Sequence, residues 1–254
     1  MLYGEDLAHI QAAGFDGFAT RVAPALVALL RAAAIAVERV CDVGCGAGTT
    51  TRALCDAGFA VTAIEPSAPL LALARAAAPG ARFVNASVYG AALPAAEAVV
   101  ALGEPLTYHQ PDDDAGARLR AVFAAAARAL PPEGLLVFDL LTPDAAGPVR
   151  RGWQSGVDWA VLYEVRPGAQ PDRLERSIET FRMVGGGYRR GRERHHVRLF
   201  QVGDVVAWLD GAGFAVDVRD RLGDAPLPEG RRLFVAVRRP AQLARRSTRS
   251  GPAG

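Results

Sequence analysis

The chain predicts an α/β fold with a small antiparallel sheet inserted late, and three observations carry that prediction. Short apolar runs of strand length at 40–43, 60–64, 81–84, 98–102 and 135–139 alternate with stretches of helical composition, the pattern of strands joined by helical crossovers. The first run breaks into a turn with glycines at Gly44, Gly46 and Gly48. Finally, three alternating runs, Trp159 to Val165, Leu174 to Val184 and Tyr188 to Phe200, fall between about Thr142 and Gln201, and Gly185-Gly186-Gly187 makes a ready hairpin between the last two.

The glycine turn is the centre of the reading. Val40-Cys41-Asp42-Val43 reads as a buried strand, and Thr49 onward has helix-compatible chemistry. Side-chain-free positions let the backbone bend and let a ligand approach the main chain. A turn at a helix N-terminus also aims unpaired amides at the polar parts of that ligand. A dinucleotide fingerprint would place its third glycine at position 49, where this chain has Thr49, so the spacing is G-x-G-x-G. The second strand then ends in Glu65, a carboxylate placed to accept both hydroxyls of a ribose.

With Asp42-Val43-Gly44-Cys45-Gly46-Ala47-Gly48 as a first motif and Ile64-Glu65-Pro66-Ser67 as an acidic second-strand end, the chain resembles the class I S-adenosylmethionine-dependent methyltransferases from about Phe15 to Pro240. The resemblance implies a Rossmann-like, doubly wound and mostly parallel seven-stranded sheet with an antiparallel last strand. It also implies S-adenosylmethionine as cofactor, held by Asp42, Gly44, Cys45, Gly46, Gly48, Glu65 and Pro66. Related enzymes place an acid after the third strand to meet the adenine amino group. This chain reads Asn85-Ala86-Ser87, so Ser87 and the Val88 amide take that place as expectations.

The fourth run leads into Gly103-Glu104-Pro105-Leu106-Thr107-Tyr108-His109, a strand end where open α/β sheets bind ligands. Gly103 and Glu104 are expected at the cofactor and Tyr108 at the substrate. Relatives that methylate nucleic-acid bases carry an acid or amide followed by Pro-Pro-aromatic here, and Gly103-Glu104-Pro105 departs from that pattern. A small-molecule acceptor with an O or N nucleophile is the expectation. His109 is the candidate base, since an imidazole titrates near neutral pH. Asp139 ends the fifth run and either faces the same crevice or caps the turn at Thr142-Pro143.

Around these elements, residues 1–38 carry Phe15, Phe18, Val22, Leu26, Leu29 and Leu30 at helical spacing, with Pro24 expected to open the second of two helices. The segment either packs on the sheet or closes over the cofactor as a lid, in which case Phe18 meets substrate. Residues 39–141 and 202–240 form the cofactor-binding domain, 142–201 a substrate cover, and 241–254 a solvated basic tail. The arginines of the cover form a face paired with Glu175, Glu179 and Glu193, or one or two of them, such as Arg182 or Arg198, grip a substrate carboxylate. His195 and His196 point to opposite sides of their strand, so at most one turns inward, and His196 is carried as a substrate candidate.

Composition bounds the rest. The 29 basic and 27 acidic residues nearly balance, which disfavours a nucleic-acid partner. Apolar stretches fall short of membrane-spanning length and the N-terminus lacks a basic-then-apolar leader, so a soluble cytoplasmic monomer or homodimer is expected. Cys41, Cys45 and Cys55 read as reduced and structural, with no metal site. Two competitors stay open: a non-catalytic S-adenosylmethionine-binding protein or related group-transfer enzyme, and an NAD-dependent oxidoreductase.

Overall fold

The computed structural model describes residues 2–109 and 114–240; the expected tail lies outside them. Two helices, α1 (Glu5–Gly14) and α2 (Gly17–Arg31), precede alternating strands and helices: β1 (Arg39–Val43), α3 (Thr49–Asp56), β2 (Ala60–Ile64), α4 (Ala68–Ala77), β3 (Arg82–Val84), β4 (Ala98–Ala101), α5 (Ala115–Ala129) and β5 (Leu135–Leu141). Four strands follow, β6 (Arg150–Ser155), β7 (Trp159–Pro167), β8 (Arg173–Val184) and β9 (Gly187–Arg198). The chain then returns through α6 (Val202–Gly211), β10 (Phe214–Arg219), a two-strand ribbon β11 (Arg221–Leu222) and β12 (Ala225–Pro226), and β13 (Arg231–Arg238).

The main sheet has seven strands in the order β10-β13-β5-β4-β1-β2-β3, with β13 antiparallel to both neighbours. Strands β4 and β5 are buried at every residue, as expected of central strands covered by helices on both faces. One face packs on α5 and α6 through Leu119, Phe123, Phe138, Leu209 and Phe234, the other on α2 and α3 through Val22, Leu26, Leu30, Leu54 and Val137. Helix α5 shows why: Leu119, Val122, Phe123 and Ala126 fall on one stripe, and Asp114 caps its start by accepting from the Ala117 amide at 2.8 Å. Strand order reverses between β1 and β4, so a crevice opens at their carboxyl ends, where the glycine turn and Gly103–Glu104 meet.

The sequence expectations need three corrections. Pro24 does not open α2 but sits inside it. The helix begins at Gly17, and burial of Val22, Ala23, Leu26 and Leu30 carries it past the missing amide, a lesion that costs about 3 kcal/mol in an unsupported helix. The inserted sheet has four strands rather than three, because β6 (Arg-Arg-Gly-Trp-Gln-Ser) is an exposed edge strand without apolar alternation. Strand β5 continues to Leu141, which leaves Asp139 inside the strand rather than at its end.

The expected hairpin between β8 and β9 forms, with Gly185 and Gly186 as its two turn residues, both at positive φ (59° and 85°), and Gly187 already paired with Val184. The inserted sheet is tied to the main body through a bridge between Tyr108 and Val197 and by the His109 amide donating to the His196 carbonyl at 3.2 Å. Ile10 of α1 packs on Trp159 and Val161 of β7. Among the described residues no single helix is long and apolar enough to cross a membrane, and α1 and α2, which reach that length only together, meet at a 62° bend.

Candidate active site

The crevice at the strand ends is a cavity of about 890 Å³. Its lower half is made by backbone. The Gly44 and Cys45 amides donate to the Ile64 carbonyl at 2.8 and 3.3 Å, closing the turn against β2, and the Gly46 amide donates to Glu65 Oε2 at 3.0 Å. Gly44 (φ 67°) lies against Pro105, where a Cβ would come within 2.2 Å of the proline Cβ. Gly46 (φ 56°) differs: a Cβ there would meet nothing within 4 Å, because that face of the turn opens on the cavity. A side chain at Gly46 would occupy space that the bare backbone leaves to a ligand.

Glu65 is 5 % exposed, and its Oε1 accepts from the Ser67 amide at 2.8 Å. Burial raises its carboxyl above the usual range, opposed by those two amides. Asp42 also lines the cavity, accepting from Thr51 Oγ1 at 2.5 Å, and burial pushes its carboxyl up to about 6. Cys45, Pro66, Ser87 and Val88 line the same half, joined by Tyr89, whose hydroxyl donates to the Leu106 carbonyl at 2.6 Å. Asn85 braces the Glu65 and Pro66 carbonyls instead. Gly48 does not line the cavity; its missing Cβ permits packing on Ala74, which a methyl would approach to 2.8 Å.

The upper half is made by side chains from distant segments. Glu104, buried and itself in the left-handed region (φ 62°), accepts from Arg176 Nη2 at 2.9 Å and Arg231 Nη2 at 2.8 Å. Arg231 also reaches Asp139 at 3.3 Å and lies 5.1 Å over the Phe18 ring. Asp139 neither faces the cavity nor caps the turn at Thr142: fully buried in β5, it accepts from the Gly103 and Glu104 amides at 2.6 and 3.1 Å and so fixes that loop. Tyr108 and His109 both line the cavity. Burial pushes the His109 imidazole down to about 4, and neither ring nitrogen has a hydrogen-bond partner among the described residues.

Three expected substrate contacts are drawn elsewhere. Arg182 pairs with Asp6 at 3.7 Å, Arg198 with Asp172 at 2.6 Å, and His196 does not line the cavity, its ring lying 6.3 Å from that of His109. The inward histidine is His195, 1 % exposed, whose Nε2 lies 2.8 Å from Glu193 Oε2. Most cover arginines do form a paired outer face, with Glu175 and Glu179 holding Arg166, Arg190, Arg192 and Arg194. Glu193 departs from that pattern and accepts from the Tyr3 and Gly4 amides at 2.7 and 2.8 Å.

The N-terminal segment therefore spans the cavity. Tyr3 O accepts from Ser67 Oγ at 2.7 Å beside Glu65, its hydroxyl meets the Tyr108 hydroxyl at 2.9 Å, and Asp16 accepts from Thr49 Oγ1 at 2.6 Å at the start of α3. Arg176, Arg231, Tyr3 and Glu193 were not named from sequence as site residues, whereas His195 was weighed beside His196 as the one histidine of the pair that could turn inward. The signal that existed was Glu193-x-His195, since residues two apart on a strand share a face.

The methyltransferase domain family matches residues 15–218. The chain belongs to that family. As a methyltransferase it aligns with a protein of Geobacillus sp. (strain WCH70), itself named only provisionally as a methyltransferase, at 24% identity over 213 residues, covering 80% of this chain and 85% of the other. Its fold is that of an S-adenosylmethionine-dependent methyltransferase from Clostridium acetobutylicum ATCC 824 (TM-score 0.78, 16% identity, 92% and 98% of the two chains). The same fold is seen in the sugar N-methyltransferase KedS8 from Streptoalloteichus sp. ATCC 53650 (TM-score 0.71, 24% identity, 94% and 97%).

Proposed function

We propose that this methyltransferase moves a methyl group from S-adenosylmethionine to a nitrogen nucleophile of a small polar molecule. The observation that carries the reading is a single cavity with two unlike halves: exposed turn backbone and Glu65 below, a ring of polar side chains under an inserted sheet above. The open face at Gly46 is the cradle that a methionine chain lying along the turn requires, and Glu65 has the two oxygens that a ribose diol requires. Ser87 and the Val88 amide remain for the adenine edge. Once bound, the cofactor supplies a sulfonium methyl as electrophile, and the protein's task is to hold a nucleophile on axis in a dry pocket.

That task falls to the upper half. Val161, Tyr163, Val165 and Ile178 of the inserted sheet roof it, so residues 142–201 act as the substrate cover. Residues 2–38 serve as the lid: Tyr3 and Asp16 are bonded to Ser67 and Thr49 on either side of the cofactor half. The two arginines of this half, Arg176 and Arg231, are already matched by two carboxylates, Glu104 and Asp139, so neither is left to grip a substrate acid and an amine is favoured. The likeness to a sugar N-methyltransferase supports the same class of acceptor. Burial makes the His109 imidazole a weak base, which favours contact over proton transfer.

The test is transfer of labelled methyl from S-adenosylmethionine into a metabolite extract, with products separated on a cation exchanger. Label retained as cationic N-methyl products is expected. Label confined to neutral or acidic products overturns the nitrogen reading, and no label above a protein-free control overturns methyl transfer.

A further inference from the structure

One polar pair in the upper half has no part in the reading above. His195 is nearly inaccessible, lines the cavity and is flanked by Tyr3 (ring centroids 5.1 Å apart) and Tyr108 (5.6 Å). Its Nε2 is 2.8 Å from Glu193 Oε2, while its Nδ1 is buried without a hydrogen-bond partner among the described residues. A carboxylate accepts only, so the neutral ring places its proton on Nε2 and leaves the lone pair on Nδ1. An unpartnered buried nitrogen lone pair costs free energy in the resting protein, and His195 differs from His109 in that a carboxylate fixes its other nitrogen and so its tautomer.

Glu193 is fixed from three sides, by the Tyr3 amide (2.7 Å), the Gly4 amide (2.8 Å) and His195. Burial raises its carboxyl, but the bonds from His195, Gly4 and Tyr3 outweigh burial and hold it below the usual carboxylate range. It is thus an anion able to stabilise an imidazolium. The strap that fixes it is the same Tyr3 whose carbonyl is bonded to Ser67 beside Glu65, so closing the lid over the cofactor half and orienting the histidine are one event. The other charged or titratable groups around the ring are Tyr3 on the strap, Tyr108 and Glu104 on the loop after β4, and Arg176, directly opposite His195 on β8.

We infer that His195 is the proton acceptor for the methyl-accepting amine and that Glu193, locked by the N-terminal strap, is its positioning residue. The inference rests on the N-methyltransferase reading. An alkylammonium entering the upper half gives one proton to His195 Nδ1, which becomes an imidazolium paired with Glu193. The freed nitrogen lone pair forms the N–C bond as the S–C bond breaks and its electrons return to sulfur. The products are an N-methylammonium and the neutral thioether S-adenosylhomocysteine, and the imidazolium passes its proton to solvent when the site reopens. General-base catalysis of this kind is worth about 10²–10⁴-fold in rate.

The experiment uses the full chain, with the cationic fraction of a metabolite extract as the acceptor probe and labelled methyl as the readout. His195→Gln is expected to bind S-adenosylhomocysteine as wild type does, yet to transfer methyl at least about 100-fold more slowly near pH 7. The deficit should shrink to within about tenfold near pH 10, where alkylammonium groups lose the proton unaided. Glu193→Gln should show the same pH-dependent deficit, smaller at pH 7. A merely structural role predicts a deficit that does not change with pH, and that result overturns the inference while leaving the methyltransferase reading intact.

A second readout needs no turnover. Long-range proton–nitrogen spectra, with the His195 signals identified by their loss in His195→Gln, should show the neutral ring carrying its proton on Nε2 and leaving Nδ1 bare. A proton resident on Nδ1 instead overturns the assignment. Failure of wild-type protein to bind S-adenosylhomocysteine would strike the underlying reading first.

Discussion

The two halves of the cavity are built by opposite means. The lower half is one contiguous turn and the end of the adjacent strand, where bent backbone and Glu65 face the cavity and the spacing of residues 42–48 and 65 decides the geometry. The upper half gathers Tyr3, Glu104, Tyr108, Arg176, His195 and Arg231 from five separate elements, and its geometry exists only once the inserted sheet has docked. A backbone site is robust and general, suited to a ligand that never varies. A side-chain site assembled from distant segments can be redrawn by few substitutions, suited to a ligand that differs from one relative to another.

The sharpest way to break that contrast is Arg176→Met. It leaves Glu104 buried with Arg231 alone, and loss of one partner of a buried pair costs about 3–5 kcal/mol. Thermal melts should show the loss, while calorimetry with S-adenosylhomocysteine should show affinity within about threefold of wild type, the lower half being untouched. An equal loss of cofactor affinity would mean the halves are not separable.

Next in size is a pair of pH effects of opposite sign, one from each half. Asp42 has a folded pKa raised from 3.8 to about 6, so its contribution to stability is fully present below the unfolded value and is lost as pH rises through 6. His109 has a folded pKa lowered from 6.5 to about 4: unfolded chains take up the proton first, and stability falls as pH drops from 6.5 toward 4. Each shift corresponds to about 3 kcal/mol. Denaturant titrations between pH 4 and 7 should therefore find the two nearly cancelling in wild type. Asp42→Asn should make stability fall more steeply on acidification and His109→Gln should make it fall less; tilts in the same direction would contradict the assignment.

The smallest effect expected is Gly186→Ala, at φ 85° in the hairpin tip, about 1 kcal/mol by thermal melt with unchanged cofactor binding. A change in cofactor affinity there would show that the cover and the lower half communicate.

The same contrast explains what could be read from sequence. The glycine turn, the place of Glu65 just past β2 and the alternation of strands and helices are local, and they form where anticipated; so does the antiparallel last strand. Pro24 was misread because burial along α2 outweighs a local preference, and β6 was missed because an edge strand exposed on both faces carries no alternation. Arg182, Arg198 and His196 were reasonable from residue type alone, but Asp6, Asp172 and the pleat of β9 turned them elsewhere. Asp139 sits in the right region and acts one step removed, fixing the loop that presents Glu104. Glu193 took its strap partners from residues nearly the whole chain away, which no local pattern encodes.

The central claim, that the glycine turn and Glu65 form the cofactor half, is tested most directly by titration calorimetry with S-adenosylhomocysteine on wild type, Glu65→Ala and Gly46→Val, with NAD as the control ligand. The account predicts micromolar binding to wild type, a loss of roughly 10–100-fold in Glu65→Ala for removal of charge-assisted hydrogen bonds, a comparable or larger loss in Gly46→Val, and no response to NAD. Wild-type affinity retained in both variants, or binding of NAD in place of S-adenosylhomocysteine, would contradict it.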